Sequence, residues 1–185
     1  MTMLASRGQL RASFIRWALF TVPLVVLLGF LAGRIGSPDS AWFSQLAKPA
    51  IYPPPQAFGI VWSILYVMIG LALAMVCAAW GARGRSAALA AFAIHFLCNL
   101  AWSPMFFGAQ QILAALAILV AIDVTLLVVI ALFWKVRRGA ALLLLPYLAW
   151  VLFATVLNYE FLRLNPDADG GLPDAGAEAR VRIGS

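Results

Sequence analysis

Aromatic rings at helical spacing, set beside polar or small residues, are the side chains of this 185-residue sequence best suited to chemistry. Trp62 and Tyr66 are four residues apart and would project from one face of a helix. Two further stripes share this spacing: His95, Asn99, Trp102 and Phe106, and then Tyr147, Trp150, Ala154 and Leu157. Such stripes most often form a bundle core, but Trp is bulky for a helix contact in lipid, where small residues dominate. The stripes therefore predict a cavity for a flat, aromatic ligand.

The sequence supports acid–base, thiol or metal chemistry less well than it supports an aromatic ligand cavity. Cys77 and Cys98 lie within apolar runs, where thiols usually act as small core residues. Asp123 lies in the middle of an apolar segment, where an ionised carboxylate costs about 2.5–3.5 kcal/mol. It could be protonated, hydrogen-bonded to a facing helix, or paired with His95 as part of a proton path, and the sequence leaves these open. We predict no catalytic residue, no metal site and no cofactor.

The composition identifies the environment of these stripes. Hydrophobic residues make up 64% of the chain and charged residues only 11%, with a mean hydropathy of +0.96. A soluble domain carries about a quarter charged residues. The net charge of +6 is spread between apolar blocks rather than gathered on one face, which argues against nucleic-acid binding. The sequence therefore predicts an integral membrane protein.

Five apolar blocks are long enough to cross a hydrocarbon layer about 30 Å thick, which needs about 20 residues. They predict an all-α, five-transmembrane-helix bundle with spans at about 14–33, 57–80, 87–107, 112–134 and 140–162. The only polar break available between the third and fourth blocks is 108–111. The first block could instead be a cleaved signal peptide, but its length and the lack of a clean cleavage site favour a retained helix. Residues 1–13 would form a basic extension and 164–185 a disordered tail.

The distribution of Lys and Arg predicts the orientation. Eight lie on the side of the N-terminus and five on the other side, which places the N-terminus in the cytoplasm. Trp17, Trp80 and Trp134 would form an aromatic belt at that interface. We expect the cell membrane of a bacterium, with the outer membrane of a bacterium or a mitochondrion as the alternative.

The outer loop, residues 34–56, contains a helix start at Pro38-Asp39, followed by Trp42, Phe43 and Leu46 at amphipathic spacing and then a Pro-rich run. This pattern predicts a short interfacial helix within a lid, stiffened by proline. Three cations near it could receive an anionic group or could simply reach the interface: Arg34, Lys48 and Arg163. A small-residue face on the third helix, with Ala88, Ala90 and Ala93, could pack within the bundle or against a second copy.

Three separated motifs resemble those of the translocator protein family, also called tryptophan-rich sensory proteins (TspO/MBR). They are Lys48-Pro49 with Pro53-Pro54 and 58–66; the run 99–108, NLAWSPMFFG; and 146–165, beginning PYLAW and including Leu157-Asn158-Tyr159. The resemblance implies a five-helix bundle, commonly dimeric, that binds porphyrins, isoquinoline and benzodiazepine drugs and, in some members, sterols. The implied pocket residues are Trp62, Tyr66, Asn99, Trp102, Phe106, Trp150, Ala154 and Leu157. The implied sterol motif runs from Leu157 through Tyr159 to Arg163. Ile51 stands where the family usually carries Trp, which would weaken the contact of the lid with a ligand.

Three functions are compatible with these residues. The first is a membrane receptor or translocator for porphyrins and similar flat amphiphiles. The second is light-dependent porphyrin degradation, for which the resemblance implies Trp62 and Trp150. The third is sterol or lipid handling, which rests only on the stretch around Tyr159.

Overall fold

The computed structural model describes residues 6–35 and 38–171, and these residues form a helical bundle. In chain order the helices are α1 (Arg7–Ile35), α2 (Ala41–Gln45), α3 (Pro55–Cys77), α4 (Arg85–Ser103), α5 (Ile112–Val136), α6 (Arg138–Leu143) and α7 (Leu145–Leu164). Within these residues five helical segments are long and apolar enough to cross a membrane, with α6 and α7 together forming the fifth. The predicted fold class is confirmed.

The first helix begins at Arg7, earlier than the expected start near residue 14. A capping box explains the early start. The amide of Gln9 donates to the Ser6 hydroxyl at 3.2 Å, and the amide of Ser6 donates to the Gln9 side-chain oxygen at 2.8 Å. Two of the free N–H groups at the helix end are thereby satisfied. Residues 7–13 of the expected basic extension are therefore helical.

The polar break between the third and fourth spans lies where the sequence predicts it. After α4 the chain makes a π-helical turn over Pro104–Gly108, and Gln110 then adopts a positive φ of 58°. Proline has no N–H to donate and clashes with a straight helix, so the backbone widens at this point. The turn directs Phe106 inward, where its side chain is only 2% exposed.

The start of the expected disordered tail is ordered. Pro166–Ala168 form a 3-10 turn, and the buried Ala168 accepts a 3.1 Å hydrogen bond from the indole N–H of Trp42. Asp169 accepts a bond from the amide of Leu113 at 3.1 Å. The expectation of disorder is wrong for residues 164–171, because their polar groups close the end of the bundle, and residues 172–185 lie outside the described residues.

Close contacts between helices depend on small residues. A methyl group on Gly70 would lie 2.6 Å from Cα of Val22, so glycine lets α1 and α3 touch. The Thr21 hydroxyl donates to the Gly70 carbonyl at 2.8 Å across the same contact. On α4, Ala88 packs inside the bundle, whereas Ala90 and Ala93 are exposed on its outer surface. The small-residue face of α4 therefore lies partly in the bundle interior and partly on the outer surface.

The bundle has two chemically different ends. The cavity end carries α2, the π-helical turn and the 3-10 turn. The basic end carries the start of α1, the connection between α3 and α4, and the junction of α5 with α6. At that end the Arg85 guanidinium donates to the carbonyls of Val76 and Cys77, which caps the C-terminus of α3.

Candidate functional site

A cavity of about 420 Å³ opens at the cavity end, between α1, α3, α4, α5, α7 and the lid (residues 38–54). Its volume falls in the range of small-molecule sites, roughly 300–1,000 Å³. Nine of the residues that the sequence predicted to contact a ligand or its anionic group line it: Arg34, Trp62, Tyr66, Asn99, Trp102, Phe106, Trp150, Ala154 and Leu157. The helical stripes therefore converge on one space.

Stacked aromatic pairs form two parts of the cavity wall. The rings of Trp62 and Tyr66 lie 5.0 Å apart at an interplanar angle of 30°. The rings of Trp102 and Phe106 lie 5.4 Å apart at 26°. Each pair joins residues one helical turn apart, as the four-residue spacing predicts. The wall therefore presents flat apolar surfaces to whatever enters.

The lid inserts its aromatic rings into the bundle instead of lying on the interface. Trp42 is 4% exposed and Phe43 is 6% exposed. Phe43 contacts the rings of Phe106 and Phe161 and lines the cavity. The helix start predicted at Pro38-Asp39 lies slightly later, because Ser40 is the N-cap and its hydroxyl accepts from the amide of Phe43.

The middle of the lid is held by one side chain of the ordered tail. The Asn165 side-chain oxygen accepts a 2.7 Å hydrogen bond from the amide of Ala47, and its nitrogen donates at 3.0 Å to the Ala47 carbonyl. Ile51 is 46% exposed and does not line the cavity. The neighbouring Tyr52 does, and its ring lies 5.5 Å from that of Phe58. An aromatic lid contact is therefore present one position after Ile51.

The three cations near the mouth have different roles. Arg34 lines the cavity, but Lys48 does not. The ammonium of Lys48 donates to the Phe43 carbonyl and lies 3.7 Å from the centroid of the Phe43 ring, so it anchors α2 from outside. Burial lowers the pKa of Lys48 and raises the pKa of Tyr52. Arg163 pairs with Glu160 at 2.7 Å on the exposed surface.

Two of the predicted ligand residues, His95 and Tyr147, lie beneath the cavity in a buried polar chain. The Tyr147 hydroxyl lies 3.1 Å from Nε2 of His95, and Nδ1 of His95 lies 3.0 Å from the Thr125 hydroxyl. Because the Thr125 hydroxyl already donates to the Ala121 carbonyl, it accepts from the Nδ1–H of His95. Nε2 then accepts from Tyr147, which assigns the His95 tautomer from the hydrogen-bond pattern.

Asp123 is not the partner of His95. Its Oδ2 accepts a 2.8 Å hydrogen bond from the Thr155 hydroxyl on α7. Of the alternatives that the sequence left open for Asp123, the hydrogen bond to a facing helix is present, and the pair with His95 is absent because His95 bonds Thr125 and Tyr147 instead. Among residues 6–35 and 38–171, no group of three His, Cys, Asp or Glu side chains is placed to hold a metal ion.

Several cavity residues were missed from the sequence although the spacing contained them. Phe58 precedes Trp62 by one turn, and Phe161 follows Leu157 by one turn, so both extend stripes already recognised. The spacing does not predict Phe30 and Ile122 as cavity residues, because their helices show no aromatic stripe. In the sterol motif, Leu157 lines the cavity, while Tyr159 is 53% exposed on the outer face of α7.

Comparison with known proteins agrees with this architecture. The model of the TspO/MBR family matches residues 21–164, which include all of α2 to α7 and the second half of α1. The chain belongs to the TspO/MBR family. The family resemblance carried by the three motifs is thereby confirmed, and the matched region begins earlier than those motifs.

Relatives in the TspO/MBR family come from bacteria, archaea and animals. The chain is 38% identical over 154 residues to the tryptophan-rich protein TspO of Chlorobaculum tepidum, covering 80% of this chain and 98% of that protein. It is 34% identical over 135 residues to the protein CrtK of Rhodobacter capsulatus, covering 72% and 84%. It is 36% identical over 132 residues to the human translocator protein, covering 70% and 78%. The chain is thus a multi-pass membrane protein of the TspO/MBR family.

Proposed function

We propose that this protein is a membrane receptor or translocator that binds a porphyrin, or a similar flat amphiphile, in the cavity. The observation that carries the proposal is the pair of stacked aromatic walls, Trp62 with Tyr66 and Trp102 with Phe106, around one space of about 420 Å³. Flat rings gain from offset stacking on such walls as well as from burial. Drug-like isoquinolines and benzodiazepines share this flat, aromatic chemistry and would compete for the site.

Two polar features support an amphiphilic ligand. Arg34 lies at the mouth, where a guanidinium would receive a carboxylate. Deeper in the cavity, the buried Oδ1 of Asn99 has no hydrogen-bond partner among the described residues. A buried acceptor without a partner costs free energy, so a ligand N–H or O–H that reached it would gain affinity. These two groups suit a ring with polar edges.

The test is a titration of the purified full-length protein with protoporphyrin in darkness. We expect saturable binding of about one porphyrin per chain, measured by the shift of the porphyrin absorption band. An isoquinoline should displace the bound porphyrin. Absence of saturation, or porphyrin binding that an isoquinoline leaves unchanged, would show that the cavity is not the site.

A second candidate function is light-dependent breakdown of the bound porphyrin. It is favoured by one observation, that Trp62 and Trp150 both line the cavity and would contact the same ligand. Sterol binding has weaker support, because Tyr159 and Arg163 lie outside the cavity. A sterol bound by them would sit against the lipid-facing surface of α7.

We also propose that the basic end faces the cytoplasm of a bacterial cell, from the excess of Lys and Arg at that end. Two exposed serines allow a matched test after Cys77 and Cys98 are replaced. A Ser44→Cys variant reports on the cavity end and a Ser86→Cys variant on the basic end. An impermeant thiol reagent should label the first in intact cells and the second only after the membrane is opened; the reverse pattern would invert the orientation.

A homodimer is a related proposal. The exposed Ala90 and Ala93 leave a flat strip on α4 where a second copy could approach closely. Light scattering in mild detergent measures the mass directly, and an Ala93→Trp variant that remained dimeric would exclude this face.

A further inference from the structure

A second cavity, of about 320 Å³, lies at the basic end of the bundle. It is formed where the start of α1 meets the turn after α3 and the junction between α5 and α6. Its lining combines two arginines, two neutral polar side chains, an indole and an aliphatic side chain: Arg16, Arg137, Ser13, Gln9, Trp80 and Leu10. None of these residues lines the aromatic cavity at the other end.

The charge around this second cavity is one-sided. Eight of the 13 Lys and Arg residues lie in the segments 7–16, 83–85 and 135–138. None of the seven Asp and Glu residues lies in or beside these segments. Positive charge at this end therefore has no acidic partner nearby in the sequence, and attracts an anion.

Two other arginines at this end already have partners among the described residues. The guanidinium of Arg85 bonds the end of α3 and lies 4.3 Å from the Trp80 ring centroid. The guanidinium of Arg138 lies 5.5 Å from the ring of Trp134. Within the part of the chain that the structure describes, the side chains of Arg16 and Arg137 make no hydrogen bond or ion pair. Both are exposed and can donate to an anion.

Aromatic residues place this cavity at the depth of lipid headgroups. Trp80 is 68% exposed and Trp134 is 46% exposed, and the ring of Trp17 lies 6.3 Å from that of Trp80. Trp residues concentrate where the hydrocarbon layer meets water. Leu10, which is 46% exposed, adds an apolar rim to a basic cavity. An apolar rim can contact the acyl chain of a lipid, whereas a soluble anion has no apolar part to place against it.

We propose that this cavity binds the phosphate of an anionic phospholipid. Arg16 and Arg137 would donate to the phosphate oxygens, which suit the forked geometry of guanidinium. Ser13 and Gln9 supply neutral donors for the rest of the headgroup, and Leu10 and Trp80 contact the upper acyl chain. Basic pockets between transmembrane helices bind anionic headgroups in this way. The proposal is independent of the porphyrin cavity and of the orientation.

The test measures displacement of a fluorescently labelled phosphatidylglycerol from the full-length protein in detergent. Salt of roughly 0.5 M keeps the Debye length between about 3 and 8 Å, which suppresses long-range attraction. Unlabelled phosphatidylglycerol should displace the probe, while phosphatidylcholine and inorganic phosphate should not. An Arg16→Gln, Arg137→Gln variant should bind about 30-fold more weakly, which corresponds to about 2 kcal/mol, because both guanidinium contacts to the phosphate are lost.

The matched control is an Arg83→Gln, Lys135→Gln variant, which removes the same charge from exposed residues of the same end outside the cavity. Its affinity should change less than about 3-fold, because screened charges at a distance contribute little. Equal weakening of the two variants would overturn the proposal, and so would displacement by phosphatidylcholine. Displacement by inorganic phosphate would assign the site to a soluble anion instead. Thermal unfolding without lipid verifies that each variant is folded. If the double variant is not folded, the single variant Arg137→Gln takes its place in the binding test.

Discussion

The side-chain amide of Asn99 donates a 2.8 Å hydrogen bond to the hydroxyl of Tyr147. Asn99 lines the aromatic cavity, so this bond links the cavity to the buried hydrogen-bond chain that runs beneath it through His95 and Thr125. It connects α4 to α7 and fixes the rotation of both helices around the site. The position of the cavity floor therefore depends on a tyrosine that does not itself line the cavity.

A Tyr147→Phe substitution should lower the stability of the bundle. It leaves Nε2 of His95 and the Asn99 amide without their shared partner, and an unsatisfied buried polar group costs about 1–3 kcal/mol. Thermal unfolding in detergent measures the loss. Tyr159→Phe is the control, because Tyr159 is 53% exposed and its hydroxyl has no such role. An equal loss of thermal stability in both variants would contradict a structural role for the buried hydrogen bonds of Tyr147.

An Ala154→Leu substitution should weaken porphyrin binding without unfolding the protein. Ala154 lines the cavity one turn beyond Trp150, and three added carbons would overfill the space at a cost of about 1–3 kcal/mol. Affinity should fall roughly 5- to 150-fold. Ala149→Leu, on the exposed face of the same helix, should leave it unchanged. A lowered melting temperature with unchanged affinity would instead identify Ala154 as a packing residue.

An Arg34→Gln substitution should distinguish ligands by charge. Arg34 lines the mouth and is exposed, so its attraction for a carboxylate is worth at most about 1 kcal/mol. Affinity for protoporphyrin should fall about 2- to 5-fold, and affinity for its dimethyl ester should not change. Arg163→Gln, which removes a cation paired with Glu160, should affect neither ligand. Equal effects on acid and ester would exclude a charge contact at Arg34.

An Asn165→Ala substitution should release the lid. Both hydrogen bonds to the Ala47 backbone would be lost, at about 0.5–1.5 kcal/mol each. Amide hydrogen exchange over residues 41–54 should become at least about 5-fold faster, while exchange in α3 to α5 stays the same. Gln45→Ala, an exposed change within the lid itself, should leave the exchange unchanged. Similar acceleration in both variants would mean that Asn165 does not hold the lid.

Illumination should separate binding from degradation. The cavity is lined by aromatic rings, the amides of Asn99 and Asn158 and the guanidinium of Arg34, with no carboxylate or imidazole among the described residues of the lining. We therefore expect bound protoporphyrin not to be consumed at a catalytic rate in light. Absorbance of the complex under constant illumination measures this, with free porphyrin as the control. Pigment loss that a Trp62→Phe, Trp150→Phe variant abolishes while still binding porphyrin would establish the enzyme instead.

The sequence by itself determined the five spans and the faces of their aromatic stripes. A hydrocarbon layer demands about 20 apolar residues in a helix, so hydropathy fixes how many segments cross. The helical period fixes which side chains share a face, so Trp62 with Tyr66 and Trp102 with Phe106 were predictable as pairs. Phe58 and Phe161 obey the same rule, although neither was predicted as a cavity residue.

Only the tertiary structure decided which faces meet, and at what depth. The period of a helix says nothing about its rotation against a neighbour, which depends on packing and hydrogen bonds between helices. For this reason His95 contacts Thr125 and Tyr147 instead of Asp123. Packing also buries Phe43 of the lid within the bundle while Lys48 stays outside, and it brings Arg16 to the same cavity as Arg137. These juxtapositions join residues far apart in the chain, whose contact no local pattern encodes.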